Sequence, residues 1–244
     1  MSVLTPAKTS VTDTFRFGTA AIARGSHSGK LTDYCSAAAQ NLNTLWGLTG
    51  LGHGRVNNPR DTDLWEPPSA AEGGAGLIQA AHHWSSMAAA DCPQIAGIII
   101  DDFIGNYHAN DSFSKLSMSD VRDVKAALQG KPVDRVTGRV DHTAPALMPH
   151  LQLLIVVYTF ELNSTLCRRR GINGTTTCLC DNMEGLFGEA GVSGVSFWPG
   201  GEDPAFPLMW SQDENSEQYP PLVRQLRGML PPEATILTGI YLAR

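Results

Sequence analysis

Carboxylates that directly follow apolar segments are the first candidates for chemistry in this chain. Asp101 and Asp102 come straight after the isoleucine-rich segment 95–100, and Glu161 follows the apolar segment 151–160. A charge at the end of a buried strand is costly unless it is paired or used. Two carboxylates that flank a glycosidic bond can cleave it, one as proton donor and the other as nucleophile or base. We therefore predict Asp102, Glu161 and Asp101 as catalytic residues.

Each acid also has an interpretation without catalysis. Consecutive residues of an extended strand point to opposite sides, and Asp102 is favoured for the ligand side because Ile98 and Ile100 would share its face. The aspartate pair could instead cap the next element, or bind a neighbouring arginine or backbone amides. Glu161 could be a solvated loop acid or a partner for the arginines at 168–170.

Flat aromatic side chains occur near the same strand ends. They suit the apolar faces of sugar rings, although each one alone is more often a core residue. His108 could contact a ligand or assist proton transfer, with a plain loop histidine as the alternative. We predict Trp46, Trp65, Tyr107, His108, Tyr158 and Trp198 as substrate-binding residues.

Metal-assisted chemistry is a second hypothesis for the acids. Asp101 and Asp102, together with Glu202 or Asp203, could bind Mg²⁺ through carboxylate oxygens, as a barrel lyase or phosphoester hydrolase would require. The chain has no P-loop, no G-x-G-x-x-G, no H-E-x-x-H and no G-x-S-x-G. The preferred prediction is a site with neither metal nor cofactor.

The cysteines give no clear pattern. Five occur, at 35, 92, 167, 178 and 180, and an odd, scattered set does not indicate a disulfide framework. Cys178 and Cys180 are too close for the usual zinc spacing, so buried or loop thiols are predicted. Three sequons begin at Asn110, Asn163 and Asn173, but they matter only in a secreted chain. The compartment is left open.

The order of apolar and helical segments predicts a parallel sheet. Near-continuous β-branched runs are typical of strands buried on both faces, and strands that alternate with helices indicate βαβ units. The strand candidates are 42–48, 95–100, 151–160, 194–198 and 235–242, with a weaker one at 14–22. The helix candidates are 70–90, 120–128, 181–190 and 220–230.

Size and charge narrow the class of protein. The chain has 244 residues and a formal net charge of -6, so we expect no nucleic-acid partner, and no apolar run is long enough for a membrane span. The length fits a (β/α)8 TIM barrel, but six strand candidates, with no helix after the last, predict an incomplete or irregular one. Residues 1–30 are assigned to an N-terminal segment that could be flexible, and 31–244 to a single barrel-like domain.

Four segments carry a family resemblance over roughly residues 40–242: Ile-Ile-Ile-Asp-Asp-Phe (98–103), Val-Val-Tyr-Thr-Phe-Glu (156–161), Val-Ser-Phe-Trp (195–198) and Gly-Ile-Tyr-Leu (239–242). They resemble the strands of uncharacterised glycoside-hydrolase-like TIM-barrel proteins. The resemblance implies a barrel fold, a carbohydrate substrate, and Asp102 and Glu161 as acids. The Asp-x-Asp-x-Glu strand of chitinase-type enzymes is absent, which argues against substrate-assisted cleavage.

The sequence therefore favours an enzyme that cleaves glycosidic bonds at the carboxyl ends of barrel strands. Its expected partner is a carbohydrate or another small molecule. The alternatives are the Mg²⁺-dependent barrel enzyme described above and a carbohydrate-binding barrel without catalysis, because barrel folds host many functions.

Overall fold

The fold is built around one parallel β-sheet. The computed structural model describes residues 2–4, 20–24, 35, 44–50, 74–90, 92–101, 103, 118–134, 137–162, 179–181, 183–198 and 219–238. Its seven strands are arranged in sequence order, and every neighbouring pair is parallel. The strands are β1 (Ser2–Leu4), β2 (Ala20–Arg24), β3 (Thr44–Gly50), β4 (Ile95–Asp101), β5 (Gln152–Tyr158), β6 (Gly194–Trp198) and β7 (Thr235–Thr238).

Helices connect the later strands, close to where the periodicity predicts them. The helices are α1 (Gly74–Ala90), α2 (Met118–Leu128), a π-helix (Glu184–Glu189) and α3 (Tyr219–Met229), with 3₁₀ turns at Thr159–Leu162 and Leu179–Asp181. The π-helix is followed by Gly191 at φ 70°, the left-handed conformation predicted for this helix end. None of the described helices has the length and apolar character needed to cross a membrane.

The two faces of the sheet are packed differently. On one face, strand residues such as Ile98, Ile155 and Phe197 share a core with Trp84 of α1 and Leu226 of α3, and we call this the helix-covered face. On the other face the described residues form a smaller cluster made entirely of strand residues. Because no described helix contributes to it, we call it the helix-free face. Its members are Trp46, Ile99, Leu154 and Val156, with Ala96, Tyr158 and Leu237 packed against them.

Two glycines allow other groups to approach the backbone of the sheet closely. A Cβ atom on Gly47 would lie 2.3 Å from the Trp84 ring of α1, and one on Gly97 would lie 1.9 Å from the carbonyl oxygen of Gln152 on the neighbouring strand. Glycine at 47 therefore lets the largest side chain of α1 reach the backbone of β3. The same contact identifies the side of β3 that faces the helices.

The predicted (β/α)8 barrel is wrong. Sequential parallel strands with helices on one face are the winding of a barrel, but the arrangement that the structure supports is a curled half-barrel sheet. A closed barrel needs its last strand to pair with its first. Within the described ranges β7 pairs with β6 and β1 with β2. Strand–helix alternation is common to open and closed sheets, so it did not distinguish them.

The expectation of unpaired cysteines is also wrong for two of them. Cys35 and Cys92 form a disulfide, with Cα atoms 5.5 Å apart and a sequence separation of 57. Both lie in the helix-covered core. The bond joins the β2–β3 connection to the turn between α1 and β4. Cys180 is exposed, and the cysteines at 167 and 178 lie outside the described residues.

Polar contacts hold the amino edge of the sheet, where β5, β6 and β7 begin. Lys125 of α2 donates hydrogen bonds from Nζ to the carbonyl oxygen of Leu151, at 3.0 Å, and to Ser193 Oγ, at 2.5 Å. The Thr235 hydroxyl donates to Gln152 Oε1 at 2.9 Å. Burial lowers the pKa of Lys125 to about 8. These contacts tie α2 and β7 to the start of the central strands.

Candidate functional site

The candidate site is the carboxyl edge of the sheet, where β4, β5 and β6 end. β5 is hydrogen-bonded to β4 on one side and to β6 on the other. The backbones of Asp101 and Trp198 form the last residues of β4 and β6, and Glu161 lies three residues after the end of β5. Ligands of parallel α/β sheets bind at this edge. The strands with the two predicted acids are therefore direct neighbours.

Glu161 is the best-described residue of this edge. Its side chain is 1% exposed, and it is the one charged residue among the buried side chains that the structure describes. The backbone N–H of Tyr158 donates a hydrogen bond to Glu161 Oε2 at 2.8 Å. The interpretation of Glu161 as a solvated loop acid is therefore wrong.

The hydrogen bond also gives Glu161 a local structural role. The 3₁₀ turn Thr159–Leu162 follows β5 directly, and Glu161 is its third residue. A glutamate at this place that reaches back to the N–H of the residue before the turn is one half of a capping box. The carboxylate therefore fixes the chain direction after β5, and the same bond fixes the orientation of the carboxylate.

The choice between the two aspartates depends on which face of the sheet each residue of β4 points to. Ile98, Ile100 and Phe103 are buried in the helix-covered core, and Ile99 lies on the helix-free face. The expectation that Ile98 and Ile100 face the ligand side is therefore wrong. Asp102 was favoured on that basis, and it lies outside the described residues. For Asp101 the backbone alone is described.

Ser196 is a residue of this region that the sequence analysis did not single out. It pairs with Val156 on one side and Leu237 on the other, which places it on the helix-free face, and it is fully buried. Because Ile100 pairs with Ile155, the backbone of Asp101 lies beside that of Val156, which pairs with Ser196 in turn. Asp101, Val156 and Ser196 thus form one row across three neighbouring strands. Two strand spacings, roughly 10 Å, thus separate the backbones of Asp101 and Ser196. A serine within the apolar run Val-Ser-Phe-Trp was the available signal.

Trp46 and Tyr158 are the two predicted aromatic residues that the structure brings together, in the cluster of the helix-free face. Trp46 is buried and Tyr158 is partly buried. Trp198 ends β6, but its side chain is not described. The remaining predicted substrate-binding residues, Trp65, Tyr107 and His108, lie outside the described residues.

The metal hypothesis gains no support from the described part of the chain. No group of three or more histidine, cysteine, aspartate or glutamate side chains there could hold a metal ion. Asp102, Glu202 and Asp203, which the magnesium hypothesis requires, lie outside the described residues. What the described residues offer is one buried carboxylate, oriented by a backbone hydrogen bond, after the end of β5.

Comparison with known proteins gave one distant structure. No protein-family model matches the chain, and no curated protein matches it. A crystal structure of the 3-keto-D-glucoside 4-epimerase YcjR from E. coli aligns with a TM-score of 0.37 and 13% identity, over 100% of this chain and 93% of that one.

The resemblance to glycoside-hydrolase-like TIM-barrel proteins is therefore not upheld. The described strands do not form the barrel that the resemblance implied. The four segments that carried the resemblance are short apolar runs of sequence, and three of them end in an acid or an aromatic residue. That pattern is shared by many parallel sheets.

Proposed function

We propose that the carboxyl edge and the helix-free face bind a carbohydrate, and that Asp101 and Glu161 act together as acid and base in cleaving its glycosidic bond. One observation carries the proposal: Glu161 is 1% exposed and follows β5, the direct neighbour of the strand that ends in Asp101. A buried charged side chain at the ligand-binding edge of a parallel sheet is a functional candidate on physical grounds.

The composition of the helix-free face supports the choice of a sugar. Trp46 and Tyr158 belong to one cluster with Ile99, Leu154 and Val156. Apolar and aromatic side chains cover the C–H faces of a sugar ring, and a few convergent polar groups fix its orientation. Ser196 and the two carboxylates are the candidates for those polar groups.

The choice of Asp101 follows from strand phase. Side chains of a strand alternate between its faces, and Ile99, two residues earlier, lies on the helix-free face. Within β4, which ends at Asp101, alternation puts Asp101 in phase with Ile99. Alternation does not continue past the strand, because Phe103 lies in the helix-covered core, so we choose Asp101, the acid within the strand, over Asp102. Glu161 is oriented by the Tyr158 N–H, and an oriented group needs little reorganisation when a substrate binds.

The test compares hydrolysis by wild type, Asp101→Asn, Asp102→Asn and Glu161→Gln on a panel of aryl glycosides and oligosaccharides. We expect turnover by wild type, a loss of about a thousandfold or more in Asp101→Asn and Glu161→Gln, and a smaller loss in Asp102→Asn. Glu189→Gln, an exposed site on the π-helix, is the matched control and should keep wild-type activity. Turnover that survives in both Asp101→Asn and Glu161→Gln would refute the assignment.

A second candidate function is carbohydrate binding without cleavage. The observation that favours it is the hydrogen bond from the Tyr158 N–H to Glu161 Oε2, which already gives the carboxylate a structural task. In that case calorimetry would detect glycan binding by wild type, no glycoside of the panel would be cleaved, and Glu161→Gln would bind as tightly as wild type. If wild type neither binds nor cleaves any glycan, both candidate functions are wrong.

A further inference from the structure

The indole N–H of Trp46 is the polar group on the helix-free face that lacks a partner. Trp46 is 4% exposed, and no acceptor in the described part of the chain lies within hydrogen-bond distance of its Nε1 atom. A buried donor without an acceptor is rare in proteins, because burial removes the hydrogen bond that water would have supplied. Such a group therefore points to an acceptor that the described residues do not provide.

The described surroundings of the ring offer no acceptor to this N–H. Trp46 lies in the middle of β3, with its backbone paired to Ile22 on β2 and Gly97 on β4. The other buried members of its cluster, Ile99, Leu154 and Val156, carry no side-chain acceptor. The hydroxyl group of Tyr158, which packs against the same cluster, is not within hydrogen-bond distance of Trp46 Nε1. The backbone carbonyls of the adjoining strands are committed to the sheet.

We propose that Trp46 Nε1–H is the hydrogen-bond donor to a hydroxyl or ring oxygen of the bound carbohydrate. This inference rests on the proposed function and goes beyond it, because it assigns Trp46 a polar contact instead of a stacking surface. It also places one sugar oxygen deep on the helix-free face, near the pairing of Trp46 with Gly97, which lies four residues along β4 from Asp101, or about 13 Å. The tryptophan thus contributes to specificity, since a sugar without an oxygen at that place leaves the N–H unpaired.

The first experiment compares sugar binding by wild type and Trp46→Phe. The probes are the methyl glycosides of glucose, galactose, mannose and xylose, followed by the monodeoxy analogues of the tightest binder. We expect Trp46→Phe to bind that glycoside about fivefold to tenfold more weakly, as the loss of one hydrogen bond implies. One deoxy analogue should lose the same factor in wild type and lose nothing further in Trp46→Phe, because both changes remove the same contact.

Two further variants separate the hydrogen bond from packing. Replacing Trp46 with 3-benzothienylalanine keeps the size and shape of the ring, removes only the donor, and should weaken binding as much as Trp46→Phe does. Trp84→Phe makes the same truncation on the helix-covered face and should leave affinity unchanged. Equal weakening by Trp84→Phe would mean that general loosening of the sheet is responsible, and the proposal would fail.

The second experiment observes the proton directly. In protein labelled with ¹⁵N-tryptophan, the Nε1–H signal that disappears in Trp46→Phe belongs to Trp46. We expect this signal to move downfield on titration with the glycoside, while the Trp84 signal stays in place. If no methyl glycoside binds wild type, the proposed function and this inference fall together. If a glycoside binds but neither the Trp46 signal nor the affinity of Trp46→Phe responds, this inference alone is wrong.

Discussion

At the amino edge of the sheet, Lys125 donates hydrogen bonds to Leu151 and Ser193, and Thr235 donates one to Gln152. Each of these side chains thus links its own element to another part of the fold. At the carboxyl edge, Glu161 is buried and accepts a hydrogen bond from the backbone N–H of Tyr158. Both edges therefore hold polar groups that are wholly or partly removed from water, but their partners differ. The amino edge is held by contacts between α2, β5, β6 and β7, whereas the described acid of the carboxyl edge is held by a contact to its own turn.

This difference indicates how stability and function are divided in the molecule. In barrels and related parallel sheets, residues at the amino ends of strands serve stability and those at the carboxyl ends serve chemistry. If this chain follows that division, substitutions at the amino edge should change the free energy of unfolding. Substitutions at the carboxyl edge should change activity with little effect on folding.

The largest expected effect comes from the disulfide, which lies near the amino edge. Closing a loop of 57 residues restricts the unfolded chain and is expected to contribute about 4 kcal/mol to stability. We therefore expect Cys35→Ala/Cys92→Ala to unfold at a clearly lower urea concentration than wild type. Disulfides form in oxidising compartments, so both proteins should be produced by secretion and compared by urea unfolding.

The control for the disulfide is Cys180→Ala, a cysteine substitution at an exposed site. It should unfold at the urea concentration of wild type. An unchanged midpoint for the double variant would mean that the bond adds nothing to the fold, and the amino side of the sheet would then lose its main stabilising feature.

The next effect is a pH dependence that arises from Lys125. Burial lowers its pKa from 10.5 to about 8 in the folded chain. Between these two values the unfolded chain keeps a proton that the folded chain has lost, so the free energy of unfolding rises with pH. The full rise from this group is on the order of 3 kcal/mol. Urea unfolding of wild type at several values between pH 7 and 10.5 should show it.

Two variants assign that slope to Lys125. Lys125→Met has no titrating group at this position, and Lys125→Arg keeps a positive charge that does not titrate in this range. Both should lack the additional rise with pH, and Lys125→Arg can keep donors toward Leu151 and Ser193. A slope that is identical in wild type and both variants would show that Lys125 titrates normally and is not desolvated at the amino edge.

Strand segments were predictable because both faces of the sheet are covered by apolar side chains. The run at 95–100 and the predicted strand 194–198 agree with β4 and β6 to within one residue. Closure of the sheet was not predictable, because it depends on whether the first and last strands meet. Strand–helix alternation is the same in either case.

The face of the sheet to which each strand residue points was also not predictable. A run of isoleucines such as Ile98, Ile99 and Ile100 is apolar on both sides, so no alternation shows which residues the helices cover. The contact of Gly47 with Trp84 and the two separate clusters settle the question in the structure. The disulfide was missed because Cys35 and Cys92 are distant in sequence and meet only through the parallel order of the strands.

The smallest expected change in stability is at Glu161, where the comparison between the edges is tested most directly. Glu161→Gln keeps a side-chain oxygen that can accept from the Tyr158 N–H, so it should cost about 1 kcal/mol or less. Glu161→Ala removes the acceptor and should cost about 2 kcal/mol by leaving a backbone donor without its partner. Urea unfolding of both variants, with Glu189→Gln as the exposed control, distinguishes the stabilisation by the hydrogen bond from Tyr158 N–H from that by the negative charge of Glu161. Equal destabilisation by Gln and Ala would mean that the fold depends on the carboxylate itself, and the carboxyl edge would then be as structural as the amino edge.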